Sequence, residues 1–200
     1  GKTALNNGVS QWITGPDARR DGHAWRARAC AILTGIGTVR DDDPSLTVRD
    51  VATTRQPLRV VVDSRLEISP TARILQGEPV LIVGAVENAE KMALLRSTGH
   101  FVEILNNGAD KVDLKALLDM LAQRGINEVH AEAGFKLNGS LLREGLVDEL
   151  LLYLAPCLIG HDASGLFNLP ELTTLDGKKA LKIRDLRQLG EDIRLIARFP

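Results

Sequence analysis

Ala31-Ile32-Leu33-Thr34-Gly35-Ile36-Gly37-Thr38-Val39 is a short apolar run that passes straight into a glycine-bearing turn and a helical start. Cys30 to Thr34 (CAILT) carries no charge, as a strand covered on both faces requires. The same pattern recurs outward along the chain. Residues 58–62 (LRVVV), 79–83 (PVLIV), 101–105 (FVEIL), 128–132 (EVHAE) and 150–155 (LLLYLA) predict further buried strands. Helical patterns separate them: Asn88 to Ser97 closed by Gly99, and Lys136 to Glu144 ended by Gly145. Leu114, Leu117, Leu118 and Leu121 share one helix face, with Gly125 as the stop. Strand and helix in alternation predict an α/β fold with a mostly parallel central sheet and helices on both faces. At the C-terminus the period falls to two. Ile193, Leu195, Ala197 and Phe199 alternate with Arg194, Ile196 and Arg198, following Leu181 to Gln188 across a short turn, which predicts an antiparallel hairpin.

The 200 residues suit one domain with a sizeable core. Lys and Arg number 25 against 26 Asp and Glu, for a net charge of -1, so no global field favours nucleic acid or an anionic membrane. Cys30 and Cys157 each sit in an apolar run, which predicts buried free thiols rather than a disulfide framework. No apolar stretch approaches the roughly 20 residues of a membrane helix, and no signal peptide is evident, so a cytoplasmic protein is expected. Asp50 to Gln56, polar and before Pro57, is the candidate mobile loop. Gly1-Lys2-Thr3-Ala4 opens without a preceding apolar strand, and the expectation is a beginning further upstream.

Several segments carry chemistry, each with a plainer alternative. Thr14-Gly15-Pro16-Asp17 predicts a helix start with Thr14 as N-cap, and the helix carries Arg19, Arg20, Arg26 and Arg28. A basic solvated face accounts for most of these; Arg26, beside Trp25, is the candidate ligand. Gly35-Ile36-Gly37 lets backbone amides approach a phosphate, although Arg40 occupies the third glycine position of a dinucleotide fingerprint. Asp41-Asp42-Asp43-Pro44 is either a solvated acidic turn or a wall of acceptors, and Arg49 beyond it can fork onto a phosphate. Asp63-Ser64-Arg65 ends a strand as a plain turn or as a seat for a nucleotide 2′-phosphate. Glu132 ends another strand, and Gly134 to Ser140 then open a helix whose amides suit a second phosphate; the alternative is a buried capping acid. His130-Ala131-Glu132 matches half of a zinc-deaminase signature, but Gly160 stands where the second cysteine is needed, so no metal site is expected.

Taken together, SQWITGPDARR (10–20), AILTGIGTVRDDDPSLTVR (31–49), VVVDSR (60–65), EAGFKLNGSLL (132–142) and LVDELLLYLAPCLIG (146–160) resemble the reductase half of the bifunctional riboflavin-biosynthesis deaminase/reductase. The resemblance implies a dihydrofolate-reductase-like fold, with residues 1–200 as a single reductase domain and the deaminase half and a first strand outside this sequence. It implies NADPH-dependent reduction of 5-amino-6-(5-phosphoribosylamino)uracil to its ribitylamino form. Ser10, Arg26, Leu46, Arg49 and Glu132 fall at the family's substrate contacts. Trp12, Thr38, Asp42 and Ser64 fall at its cofactor contacts, and Gly134, Phe135, Lys136, Leu137, Asn138, Gly139 and Ser140 at its pyrophosphate loop. Glu132 and Asp42 are the candidates for moving the proton. A homodimer or larger homo-oligomer is implied as well. Two alternatives stay open: a stand-alone reductase of the same superfamily acting on a diaminopyrimidine or dihydrofolate, and a non-catalytic nucleotide-binding domain.

Overall fold

The computed structural model describes residues 1–200. In chain order the elements are β1 (Lys2–Ala4), α1 (Pro16–Arg28), β2 (Ala31–Gly35), α2 (Ile36–Asp42), β3 (Leu58–Val62), β4 (Val80–Gly84), α3 (Ala89–Ser97), β5 (Phe101–Ile104) and α4 (Leu114–Gln123). There follow β6 (Val129–Ala131), α5 (Phe135–Arg143), β7 (Glu149–Leu154), β8 (Ser164–Gly165), β9 (Lys182–Leu189) and β10 (Asp192–Arg198). The chain forms two compact units, one of Ala24–Gly134 and one of Gly1–His23 with Phe135–Pro200. No helix is long and apolar enough to cross a membrane.

The Ala24–Gly134 unit is built on a five-stranded sheet in the order β5-β4-β3-β2-β6, and every pair in it is parallel. Thr34 pairs with Val61, Val61 with Ile82, and Ile82 with Val102, so these side chains share one face. Ile32, Val61, Val80, Ile82 and Val102 on that face form one cluster with Val39 of α2, Leu95 of α3, and Leu46, Leu66, Ile68 and Ile74 from the connections. The opposite residues Leu33, Val60, Leu81 and Val83 are equally buried, as is the stripe Leu114, Leu117 and Leu121 of α4. Burial on both faces explains why β2, β3 and β4 read as apolar runs. The edge strands β5 and β6 are only partly buried, and the run at 150–155, expected as a further buried strand, is the half-buried β7 of the other unit's antiparallel sheet. One buried cation interrupts the pattern. Arg59 donates to the carbonyls of Ile74 at 2.7 Å, Gln76 at 3.1 Å and Glu78 at 2.5 Å, fastening that connection to the sheet.

The second unit holds an antiparallel sheet in the order β7-β10-β9 and a small β1-β8 pair. The hairpin expected at the C-terminus is β9 and β10, with Leu189 opposite Asp192. Arg194 lies between two carboxylates, donating to Asp21 of α1 at 2.9 Å and to Asp185 of β9 at 2.7 Å, while the Tyr153 hydroxyl donates to Asp21 at 2.6 Å. The hydrogen bond from Arg194 is the main reason the Asp185 carboxyl titrates below its ordinary range.

Four local expectations change. The helix of α1 starts at Pro16, so Gly15 rather than Thr14 holds the capping position, and the Gly15 N–H is satisfied by Asp192 Oδ2 at 2.7 Å. The acidic run is no open turn: Asp41 and Asp42 end α2, and Asp43 closes it at φ 39 while accepting the Arg73 N–H at 2.8 Å. Residues 2–4, too short to show a period, form a strand because β8 pairs with them and Lys2 Nζ holds the carbonyls of His161 and Ala163 at 2.7 Å each. Both cysteines are free thiols, but Cys30 is half-buried and Cys157 exposed, so neither is the fully buried thiol expected.

Gly139, inside α5, is tied to its place by close approach. A Cβ there would run into the backbone of Asn168, whose N–H donates to Phe135 O at 3.0 Å and whose carbonyl accepts from Arg143. Gly139→Ala is expected to destabilise the protein by about 1–3 kcal/mol despite alanine's better helix propensity. A denaturant midpoint equal to or above that of the parent protein would refute this.

Candidate functional site

Because all five strands of the first unit are parallel, their carboxyl ends fall along one edge of the sheet, where an open α/β sheet collects its ligand-binding groups. β2 leads there into Gly35 and α2, β3 into Asp63-Ser64-Arg65, and β6 into Glu132 and Gly134. Thr38 and Gly134 adjoin: a Cβ built on Gly134 would lie 3.5 Å from Thr38 Oγ1. Ser64 is half-buried, whereas Asp42, Arg49 and Arg65 are exposed. The Leu46 side chain is part of the core at φ 49, so what this residue can offer a ligand is backbone.

Arg26 and Glu132 form the centre of this edge. Arg26 Nε donates to Glu132 Oε1 at 2.5 Å and Nη2 to Oε2 at 2.6 Å, the fork-to-fork geometry that suits guanidinium and carboxylate. Arg26 Nη1 donates to the Thr47 carbonyl at 3.2 Å, tying the 44–49 connection to the same pair. His130 Nε2 stands 3.3 Å from Glu132 Oε1. Glu132 follows β6 directly, its N–H donating to Leu33 O at 2.9 Å, two residues after His130 and so on the same side of the extended chain. Burial pushes the Glu132 carboxyl up, but hydrogen bonds from Arg26 and His130 and their charges outweigh it and hold the pKa at about 2. The carboxylate therefore acts as an acceptor and an anchor near neutral pH.

The other unit carries Ser10, half-buried, and Trp12, exposed, with the Arg19 guanidinium 4.7 Å over the Trp12 ring. Phe135 to Ser140 are the opening turns of α5 rather than loop, with Lys136 and no acid in the first turn. Gly139 is committed to Asn168, as described above.

Sequence reading brought Arg26, Thr38, Glu132 and Gly134 to notice, and the structure joins them as two neighbouring pairs. It gave no role to the Thr47 carbonyl, took His130 only as a rejected zinc ligand, and left Asp63 as one letter of a turn. The period-two spacing of His130 and Glu132 was the available signal for the second of these.

Residues 1–195 match the family described as RibD C-terminal domain. The chain is 40% identical over 209 residues to riboflavin biosynthesis protein RibD of Escherichia coli, covering 98% of this chain and 56% of that protein. It is 33% identical over 204 residues to the 5-amino-6-(5-phosphoribosylamino)uracil reductase of Buchnera aphidicola subsp. Acyrthosiphon pisum, covering 96% of this chain and 97% of that one. Among solved structures, Acinetobacter baumannii RibD (form 1) superposes with a TM-score of 0.89 at 36% identity, covering all of this chain and 55% of that one. The chain thus spans about half the length of the RibD proteins it matches.

The depressed carboxyl of Glu132 has a measurable consequence. Its contribution to stability is present above the ordinary carboxyl value of 4.5 and lost as pH falls toward about 2. Glu132→Gln is expected to lower stability at neutral pH by about 3 kcal/mol, since it leaves Arg26 without a charged partner. Denaturation curves of the parent protein and the variant should converge as pH drops through that window; a pH-independent gap would refute the assignment.

Proposed function

This chain belongs to the RibD C-terminal domain family, and from that premise we propose that it reduces 5-amino-6-(5-phosphoribosylamino)uracil to the ribitylamino product with NADPH. The observation that carries the reading is the Arg26–Glu132 pair at the carboxyl edge of a parallel sheet, beside the Thr38–Gly134 contact. At this edge the cofactor's donor set is represented by the Thr38 and Ser64 hydroxyls, the side-chain-free Gly134 and the exposed Arg65, with Asp42 a further candidate; Trp12 and the α5 residues Phe135 to Ser140 are the candidates that the other unit carries. These groups fit an anionic dinucleotide, because hydroxyl, guanidinium and uncovered backbone are the groups that phosphates take.

NADPH, when bound, supplies the hydride. Glu132, ionised and held on two sides by Arg26, accepts hydrogen bonds from the sugar or the amine and orients the reacting carbon. It is a poor proton donor at neutral pH, so its part in the proton step is to orient the donor, with Asp42 at the end of α2 the other candidate for handling the proton. Arg26 is engaged by Glu132 and Thr47, and the exposed Arg49 is the candidate for the substrate phosphate, with Arg26, the backbone at Leu46 and, in the other unit, Ser10 as the remaining substrate candidates.

The deciding experiment follows NADPH oxidation with this uracil, with its diaminopyrimidine counterpart and with dihydrofolate. Turnover of the uracil substrate well above the other two is expected, and cofactor binding without turnover of any of them would reject the reading. In the same assay Arg49→Ala should raise KM about tenfold while kcat changes less. Unchanged kinetics would remove Arg49 from the site.

Self-association belongs to the same reading. Leu154, Ile193, Leu186 and Ile183 lie on one face of the β7-β10-β9 sheet by register, and each is exposed. Such a face supports a homodimer. Sedimentation should show a dimer that Leu186→Arg dissociates; a monomeric parent protein at micromolar concentration would refute it.

A further inference from the structure

β3 ends in an acid, and in dinucleotide-binding sheets an acid near a strand end reads the ribose hydroxyls and disfavours a phosphate there. By type and place, Asp63 would argue for NADH. The structure turns it inward instead. Asp63 is 1% exposed, its Oδ2 accepts the Ile68 N–H at 2.8 Å, and its carbonyl accepts the Leu66 N–H at 3.0 Å. Its own N–H donates to Val83 O at 2.9 Å, and Oδ1 is buried with no hydrogen-bond partner. Burial pushes the carboxyl pKa up against the lowering effect of the turn's N–H groups.

The turn above Asp63 is held from several sides. The Ser64 carbonyl accepts the N–H groups of Ala85 and Val86 at 2.9 Å each. Leu66 takes the left-handed conformation at φ 55, which a branched side chain rarely adopts, and is kept there by burial with Ile68 in the core. Ser64, Arg65 and Glu67 are the outward members of the turn, the first half-buried and the others exposed, and the Glu67 carboxylate is engaged by Arg40 Nη1 at 3.1 Å, which leaves Ser64 and Arg65 as its donors.

We propose that Asp63 is a positioning residue for cofactor choice: held inside the Ser64–Ile68 turn, it presents the Ser64 hydroxyl and the Arg65 guanidinium as the seat of the phosphate monoester on the adenosine ribose of NADPH. The inference rests on the reading that Ser64 contacts NADPH. It adds that an acid otherwise hostile to this phosphate is what shapes the site for it.

Calorimetric binding of 2′,5′-ADP and of 5′-AMP, which lacks that phosphate, tests the idea without turnover. Asp63→Ala should weaken 2′,5′-ADP by about tenfold, the loss of one charge-assisted contact, and leave 5′-AMP unchanged. Asp63→Asn, whose carbonyl still accepts the Ile68 N–H, should restore the discrimination between the two nucleotides. Asp63→Ser takes the place of the alanine variant if that one does not fold. Equal weakening of both nucleotides, or no weakening of either, overturns the proposal. If a Ser64→Ala, Arg65→Ala double variant keeps full discrimination, the Ser64 reading itself fails and the proposal falls with it.

Discussion

Parallel pairing of β2 with both β3 and β6 is the constraint on which the first unit depends. It makes β2 a central strand with neighbours on both edges, which is why Ala31 to Thr34 is buried without exception. It also fixes chemistry in space. With all strands running the same way, Gly35, Asp63 and Glu132 must emerge along one edge, although nearly 100 residues separate the first from the last. An antiparallel neighbour would have sent one of them to the opposite edge.

Within that frame the Arg26–Glu132 pair decides which groups can do what. Removing two charges from water is expensive, and the pair is viable because three donors meet the carboxylate and the remaining Arg26 nitrogen meets Thr47 O. A carboxylate held at about pKa 2 is an acceptor and not an acid near neutrality. A guanidinium that meets Glu132 with two nitrogens and the Thr47 carbonyl with the third is fixed in place. The charges of the unit therefore divide: the Arg26–Glu132 pair is drawn inward, and Arg49 and Arg65 lie at the surface.

Most of the strands and helices were legible because apolar runs and i, i+3, i+4 spacing are local signals. Asn88 and Asp113 appear where caps belong, accepting the N–H of Lys91 and Ala116. What failed was long-range. Thr14 has the chemistry of an N-cap, yet Asp192 reaches Gly15 from 177 residues away and the helix starts at Pro16. Asp43 has the look of a solvated acid until Arg73 presents its N–H. Glu132 was findable from its place at a strand end, but its ionisation was not, because Arg26 lies 106 positions earlier.

Asp63 shows why residue type and position alone mislead about a ligand. The same carboxylate turned outward would accept ribose hydroxyls; turned inward it is an internal acceptor, and the surface of the turn falls to Ser64, Arg65 and the Arg40-bound Glu67. The direction is set by Ile68, whose side chain belongs to the core and whose N–H must be satisfied there. A buried amide five residues downstream thus selects the polarity of the strand end, and a demand of packing becomes a property of recognition.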